Sequence, residues 1–65
     1  MNAYKVLDVF GFVYCVCSVS EATAKQKFVE RHPDKFDRFD EWSSIEMRHD
    51  VSDLLKQGKL KEIIE

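Results

Sequence analysis

Little in this chain bends, breaks or staples it. Two glycines and one proline in 65 residues exclude a flexible linker or a low-complexity segment. With glycine confined to Gly11 and Gly58, no glycine-rich loop is available to cradle a phosphate. No stretch approaches the roughly 20 apolar residues of a membrane span. The run from Val6 to Val19 follows Lys5 and is loosely signal-like, but Asp8 interrupts it. A soluble, cytoplasmic protein is therefore the expectation. Charge of one sign is also lacking. Ten basic and twelve acidic side chains leave −2, so no strongly basic face for nucleic acid is implied. The only cysteines, Cys15 and Cys17, stand two apart, about 6.6 Å along an extended strand. A disulfide wants Cβ atoms about 3.8 Å apart, so both are read as reduced thiols packing as small hydrophobes.

What is present suits a folded mini-domain. Hydrophobic residues make up 45% and charged residues 34%, a balance that argues against disorder. One domain, residues 1–65, fits this length. So small a domain buries only about 60% of the surface its unfolded chain exposes, and a disulfide, a metal or a partner chain commonly makes up the deficit.

Residues 4–9 and 12–19 are rich in β-branched and aromatic side chains and flank Phe10-Gly11, which predicts a β-hairpin. Val13, Cys15, Cys17 and Val19 then share one face, and Phe12, Tyr14 and Val16 the other. Two apolar faces imply that one packs on helix and the other is partly covered or lies in an interface. Ser20 is a good N-cap for a helix over Glu21–Arg31 with Ala24 and Phe28 inward, ended by His32-Pro33. Phe36, Phe39 and Trp42 recur every three residues, which suits a helical turn or an anchored loop. Ile45, Met47, His49 and Val51 alternate with Glu46, Arg48 and Asp50, which predicts a third strand. A helix placing Met47, Val51, Leu54 and Leu55 together competes with it. Ser52 can cap a short helix, Asp53–Gln57, with Gly58 at its C-terminus. Residues 59–65 are open between helix and edge strand. The expected fold is α+β in β-β-α-β-α order: a small antiparallel sheet, hairpin plus third strand, packed by one helix.

Catalytic and metal chemistry find few takers. A thiol in an apolar strand has its pKa raised by burial, which disarms Cys15 and Cys17 as nucleophiles. Cys-x-Cys within a strand is poor zinc geometry, so these residues with His32 and His49 are not expected to bind metal. No cofactor and no enzymatic activity are expected.

His32-Pro33-Asp34, followed by Lys35, and the Tyr4-Lys5-Val6-Leu7 segment resemble the J-domain of Hsp70 co-chaperones, with its Tyr-x-Val-Leu opening and its basic helix before a His-Pro-Asp loop. The resemblance implies that His32, Pro33 and Asp34 contact the chaperone, supported by Lys25, Lys27 and Arg31, in a chain almost free of strand. The Phe12–Cys17 run and Lys27 depart from the family pattern. Residues 12–51 read as strand, Ser-Glu-Ala-x-Ala-Lys-x-x-Phe helix, His-Pro and alternating strand. That order is similar to short single-domain proteins of bacteriophages and mobile elements, a resemblance that implies a protein binding and blocking a host protein.

Eight aromatics exceed what so thin a core needs. Phe10, Phe12, Tyr14, Phe36, Phe39 and Trp42 are candidates for an exposed patch, half of them competing for the core. Aromatic anchors dominate interfaces, and an apolar patch marks a partner site. Phe36, Phe39 and Trp42, rimmed by Asp37, Asp40 and Glu41, form the expected contact site. Residues 34–53 hold seven acids against three bases, a face read as solvated or as meeting a basic partner. The expected function is a small non-enzymatic protein-binding module, an inhibitor or modulator of a host protein, with homodimerisation through a strand edge as an option.

Overall fold

β-Branched and aromatic residues on either side of Phe10-Gly11 build an antiparallel hairpin, β1 (Asn2–Asp8) and β2 (Val13–Ser18), in a computed structural model that describes Met1–Glu65. The Gly11 N–H donates to the Asp8 carbonyl and the Asp8 N–H to the Phe12 carbonyl, both at 3.0 Å. Gly11 has φ 86°, so the connection is a type I turn closed by a glycine bulge. Asp8, only 2% exposed, fixes the turn from inside. Its Oδ1 accepts the N–H groups of Phe10 and Phe12, and its Oδ2 accepts the Tyr14 hydroxyl, all at 2.9 Å. Burial pushes the Asp8 carboxyl up. The bonds from Phe12, Tyr14 and Phe10, with Lys35 nearby, outweigh burial and hold it below its ordinary value.

Helix α1 (Glu21–Arg31) starts where its cap predicts. Thr23 N–H donates to Ser20 Oγ and Ser20 N–H to Thr23 Oγ1, each at 3.2 Å, so both ends of the first turn are satisfied. Ala24 and Phe28 are fully buried beneath it.

Residues 36–40 depart from the expected turn or loop, whereas residues 41–43 form a loop. Strand β3 (Phe36–Asp40) runs antiparallel to β1, with a register shift that pairs Leu7 with Arg38 but Asp8 with Phe36. This bulge at Asp37 resets the side-chain phase. Phe36 and Phe39, three apart, therefore reach the same face, which a regular strand would forbid.

The expected third strand over Ile45–Val51 is absent. A 3-10 turn (Glu46–Arg48) and helix α2 (Val51–Lys56) occupy that stretch instead. The cause is local: Ser43 N–H donates to Glu46 Oε2 at 2.7 Å and Glu46 N–H to Ser43 Oγ at 3.1 Å. That reciprocal box nucleates a helical turn and breaks the alternation. Asp50 rather than Ser52 sits at the α2 N-cap, and Gly58, at φ 75°, ends the element as expected.

Of the two readings of the last segment, the edge strand is the one present, as β4 (Glu62–Ile64). The sheet order is β3-β1-β2-β4, and β4 runs parallel to β2, so the sheet is mixed rather than wholly antiparallel. The fold class is α+β as expected, with a second thin layer on the sheet's other face.

On the α1 face, Val6, Tyr14, Val16, Ala24, Phe28 and Ile64 form the main core, flanked by Tyr4, Phe36 and Phe39. On the α2 face, only Cys15, Leu54 and Leu60 are buried, with Val13, Cys17, Trp42, Val51 and Ile63 half-covered around them. The accessible surface of 4415 Å² matches the roughly 4300 Å² expected of a folded monomer of this mass. The radius of gyration is 10.9 Å, against about 10.7 Å for a compact chain of this length.

Candidate functional site

Beyond β3 the chain turns over the sheet edge, carrying Trp42 to the face opposite Phe36 and Phe39. Its Nε1–H donates to the Ala3 carbonyl at 3.2 Å, tying the ring to the end of β1 remote from the hairpin turn. Lys5 lies on the same face. Its Nζ is 5.5 Å from the Trp42 ring centroid and donates to both Glu46 oxygens at 3.0 and 3.1 Å, with Asp40 at 4.0 Å. The Ser43 N–H holds Glu46 below the usual carboxylate range; burial opposes it, and Lys5 adds to the lowering. Lys5, Ser43 and Glu46 thus form a polar latch that fixes the Trp42 loop to the sheet.

Beside that latch lies an open groove of about 180 Å³, lined by Ala3, Trp42, Glu46, Met47, His49, Val51 and Leu54. Five of those seven residues are hydrophobic, the most apolar lining among the three hollows of the surface. Met47 stands over it 74% exposed, and Ile45 in the same turn is 61% exposed. The alternation over Ile45–Val51, read as a strand, places these two residues on its buried side, and the competing helix buries Met47. The signal that relocates them is Ser43-x-x-Glu46, a capping-box pattern.

A second apolar feature is the hairpin tip. Val9, Phe10 and Phe12 are exposed, Phe10 at 70%. Lys61 Nζ covers the Phe12 ring at 4.2 Å, and Lys59 lines the adjoining hollow with Gly11, Phe12 and Leu60. Phe10 and Phe12 are among the aromatics that the sequence marks for exposure.

The expected contact residues do not form one patch. Phe36 and Phe39 are half-buried, their ring centroids 5.3 Å apart, Phe36 against Phe28 and Phe39 against Tyr4, each at 6.1 Å. Trp42 packs on the other face, and Tyr14 is buried in the main core. Asp37, Asp40 and Glu41 are exposed along the β3 edge. Asp37 pairs with Arg38 at 3.0 Å, and Asp40 Oδ1 accepts the Glu41 N–H at 2.8 Å.

His32, Pro33 and Asp34 join α1 to β3. The His32 N–H donates to the Phe28 carbonyl at 2.8 Å, and its ring lies 5.3 Å from Tyr14 and 5.4 Å from Phe28. Its Nε2 is 2.7 Å from Glu62 Oε1, and Arg31 Nε bonds the other oxygen. Burial pushes Glu62 up, but His32 and Arg31 outweigh it and hold the carboxyl low. Asp34 has φ 63°, a left-handed turn residue. Lys25 covers the Phe36 ring at 4.7 Å, and Lys27 donates to the Cys17 carbonyl at 2.8 Å. His32, Lys25, Lys27 and Arg31 are therefore all engaged within the fold. The J-domain resemblance implies a chain almost free of strand, whereas four strands are present here.

Burial, with Cys17 beside it, pushes the Cys15 thiol up to about 12, so it is a protonated core residue at neutral pH. No three His, Cys, Asp or Glu side chains converge in metal-binding geometry. No helix is long and apolar enough to cross a membrane. Compared with known proteins, the chain matches no family model, no curated protein and no solved structure.

Proposed function

We propose that this chain is a small non-enzymatic protein-binding module whose contact surface is the groove beside Trp42, and that it acts by occupancy, inhibiting or modulating the host protein it covers. The observation that carries this reading is the exposure of Met47 above an apolar groove whose wall, Trp42, is held in place by the Lys5–Glu46 latch. A rigid aromatic wall with a flexible thioether at its lip suits an anchor-in-pocket contact. The latch aligns the groove before any partner arrives, which lowers the ordering cost of binding. Catalysis has no comparable support, because the one buried thiol is disarmed and the buried Asp8 and half-buried Glu62 carboxylates are consumed by structural bonds.

The test compares what immobilised protein and its Met47→Glu variant retain from native host lysate. Met47 is exposed, so the variant should melt within about 0.5 kcal/mol of the parent. A protein retained by the parent and lost from the variant supports the reading. Identical retention by both, or none by either, overturns it.

A further inference from the structure

The groove and the hairpin tip are complementary in shape and charge, and they lie at opposite ends of the sheet. Ala3 lines the groove, while Val9 opens the hairpin turn six residues further along β1, about 20 Å away. The molecule's longest dimension is 29 Å, so one copy presents the two features at separate ends.

The tip is a preformed plug. The buried Asp8 carboxylate, itself fixed by Tyr14, holds the N–H groups of Phe10 and Phe12, so a rigid turn presents an exposed ring. Its surroundings are basic: Lys59 lines the adjoining hollow and Lys61 covers the Phe12 ring. The groove is apolar within and acidic around. Around it stand Asp40, Glu41, Glu46, Asp50 and Asp53 against Arg48 and Lys5, and Lys5 is already spent on Glu46, with Asp40 4.0 Å away. Its volume of about 180 Å³ suits one aromatic ring, since an apolar cavity of about 150 Å³ admits benzene.

Both strand edges are poorer routes to a second copy. The β3 edge is bulged and bears Asp37, Arg38 and Asp40. The β4 edge is three residues long, and Lys27 occupies the Cys17 carbonyl just beyond it. Bulges, short strands and edge lysines all discourage strand addition.

We propose that the chain self-associates head to tail, the Phe10 tip of one copy seated in the Trp42–Met47 groove of the next. The contact is heterologous and leaves a free tip and a free groove at the ends of every open assembly. This inference rests on the groove being a contact surface, as argued above, and names its occupant.

Sedimentation equilibrium at low salt, from ~10 µM to ~1 mM, tests it, because one anchor with flanking charges is expected to bind in this range. The parent protein should show an average mass rising with concentration, and rising less at 0.5 M salt, which screens the lysines from the acids. Phe10→Ser removes the plug and Met47→Glu spoils the groove; each alone should weaken association by about tenfold or more. Both sites are exposed, and unchanged circular dichroism and melting confirm that the variants fold. Mixing the two variants should restore pairs and nothing larger, since each supplies the end the other lacks. A parent that stays monomeric throughout overturns the proposal. So does association of the parent with no pairing in the mixture, which would indicate a symmetric dimer. A monomeric parent whose Met47→Glu variant still loses a host protein overturns this inference alone and leaves the protein-binding reading standing.

Discussion

The two faces of the sheet are built on different terms. Beneath α1, six buried residues interlock around Phe28 and Tyr14, whose ring centroids are 4.9 Å apart in an edge-on contact. Beneath α2, three residues are buried, and the loop is held by a lysine, a carboxylate and a tryptophan N–H. The first face is a core in the ordinary sense. The second is a shallow apolar layer with its polar groups satisfied at the margin, and it leaves Met47 and Ile45 in solvent. A 65-residue chain has little apolar material, and this one concentrates it under α1. The thin layer is left free to present a groove, because the other face carries the stability.

The largest expected effect follows from that asymmetry. Phe28→Ala should cost about 4 kcal/mol by cavity formation, and the total stability of such a domain is only about 3–10 kcal/mol. The variant should be largely unfolded in a thermal or urea melt. Leu54→Ala, at the centre of the thin layer, should cost about 2 kcal/mol, the low end for a buried leucine, because the open groove lets neighbours relax. Equal losses from the two variants would erase the distinction between the faces.

An effect smaller than that of Phe28→Ala comes from the buried carboxylate under the hairpin. Asp8→Ala strands the Tyr14 hydroxyl and two turn N–H groups and should cost about 3 kcal/mol. The folded Asp8 carboxyl lies below its ordinary value of 3.8, and those of Glu46 and Glu62 lie below 4.5. A depressed carboxyl contributes stability that is present above its unfolded value and lost as pH falls through its folded one. Melting temperature should therefore hold above about pH 5 and fall below it. At the alkaline end, burial and then the Asp8 bond push Tyr14 up to about 12 from 10.0. Its contribution is present below pH 10.0 and lost as pH rises towards 12. In Asp8→Ala the acid limb should flatten; an unchanged limb would place the acid sensitivity elsewhere.

The smallest effect should be the most local. Glu46→Gln keeps the acceptor for Ser43 and removes the charge facing Lys5, which should lower the free energy of local opening of the loop by about 1–2 kcal/mol. Amide hydrogen exchange should accelerate around residues 42–48 while α1 and β2 stay protected. Uniform acceleration along the chain would mean that the two layers open as one unit.

The hairpin and α1 are legible in the sequence because their causes are local: alternation around Phe10-Gly11, and a serine cap with a proline stop. β3 is illegible for a physical reason. Phe36 and Phe39 reach one face only through the bulge at Asp37, and a three-residue spacing reads as helix when the bulge is unseen. The Ile45–Val51 stretch misleads in another way. Alternation predicts a strand by taking apolar residues to be buried, yet Ile45 and Met47 are exposed. The pattern fails where apolar side chains are left on the surface, which is where the candidate site lies. Trp42 was legible as an anchor. Its separation from Phe39 was not, because it depends on where the chain crosses the sheet edge.

The parallel pairing of β4 with β2 also orders events in time. Hairpin and helix contacts join near neighbours and form at low loop-closure cost, but Ile64 reaches Val16 only across a loop that holds most of the chain. Ile64 is nonetheless part of the α1 core. The expected folding nucleus is therefore β1, β2 and α1, with β4 docking late and sealing a core that is already in place. On unfolding, the same strand should leave first, so that the sheet opens from its β4 edge while the hairpin still holds.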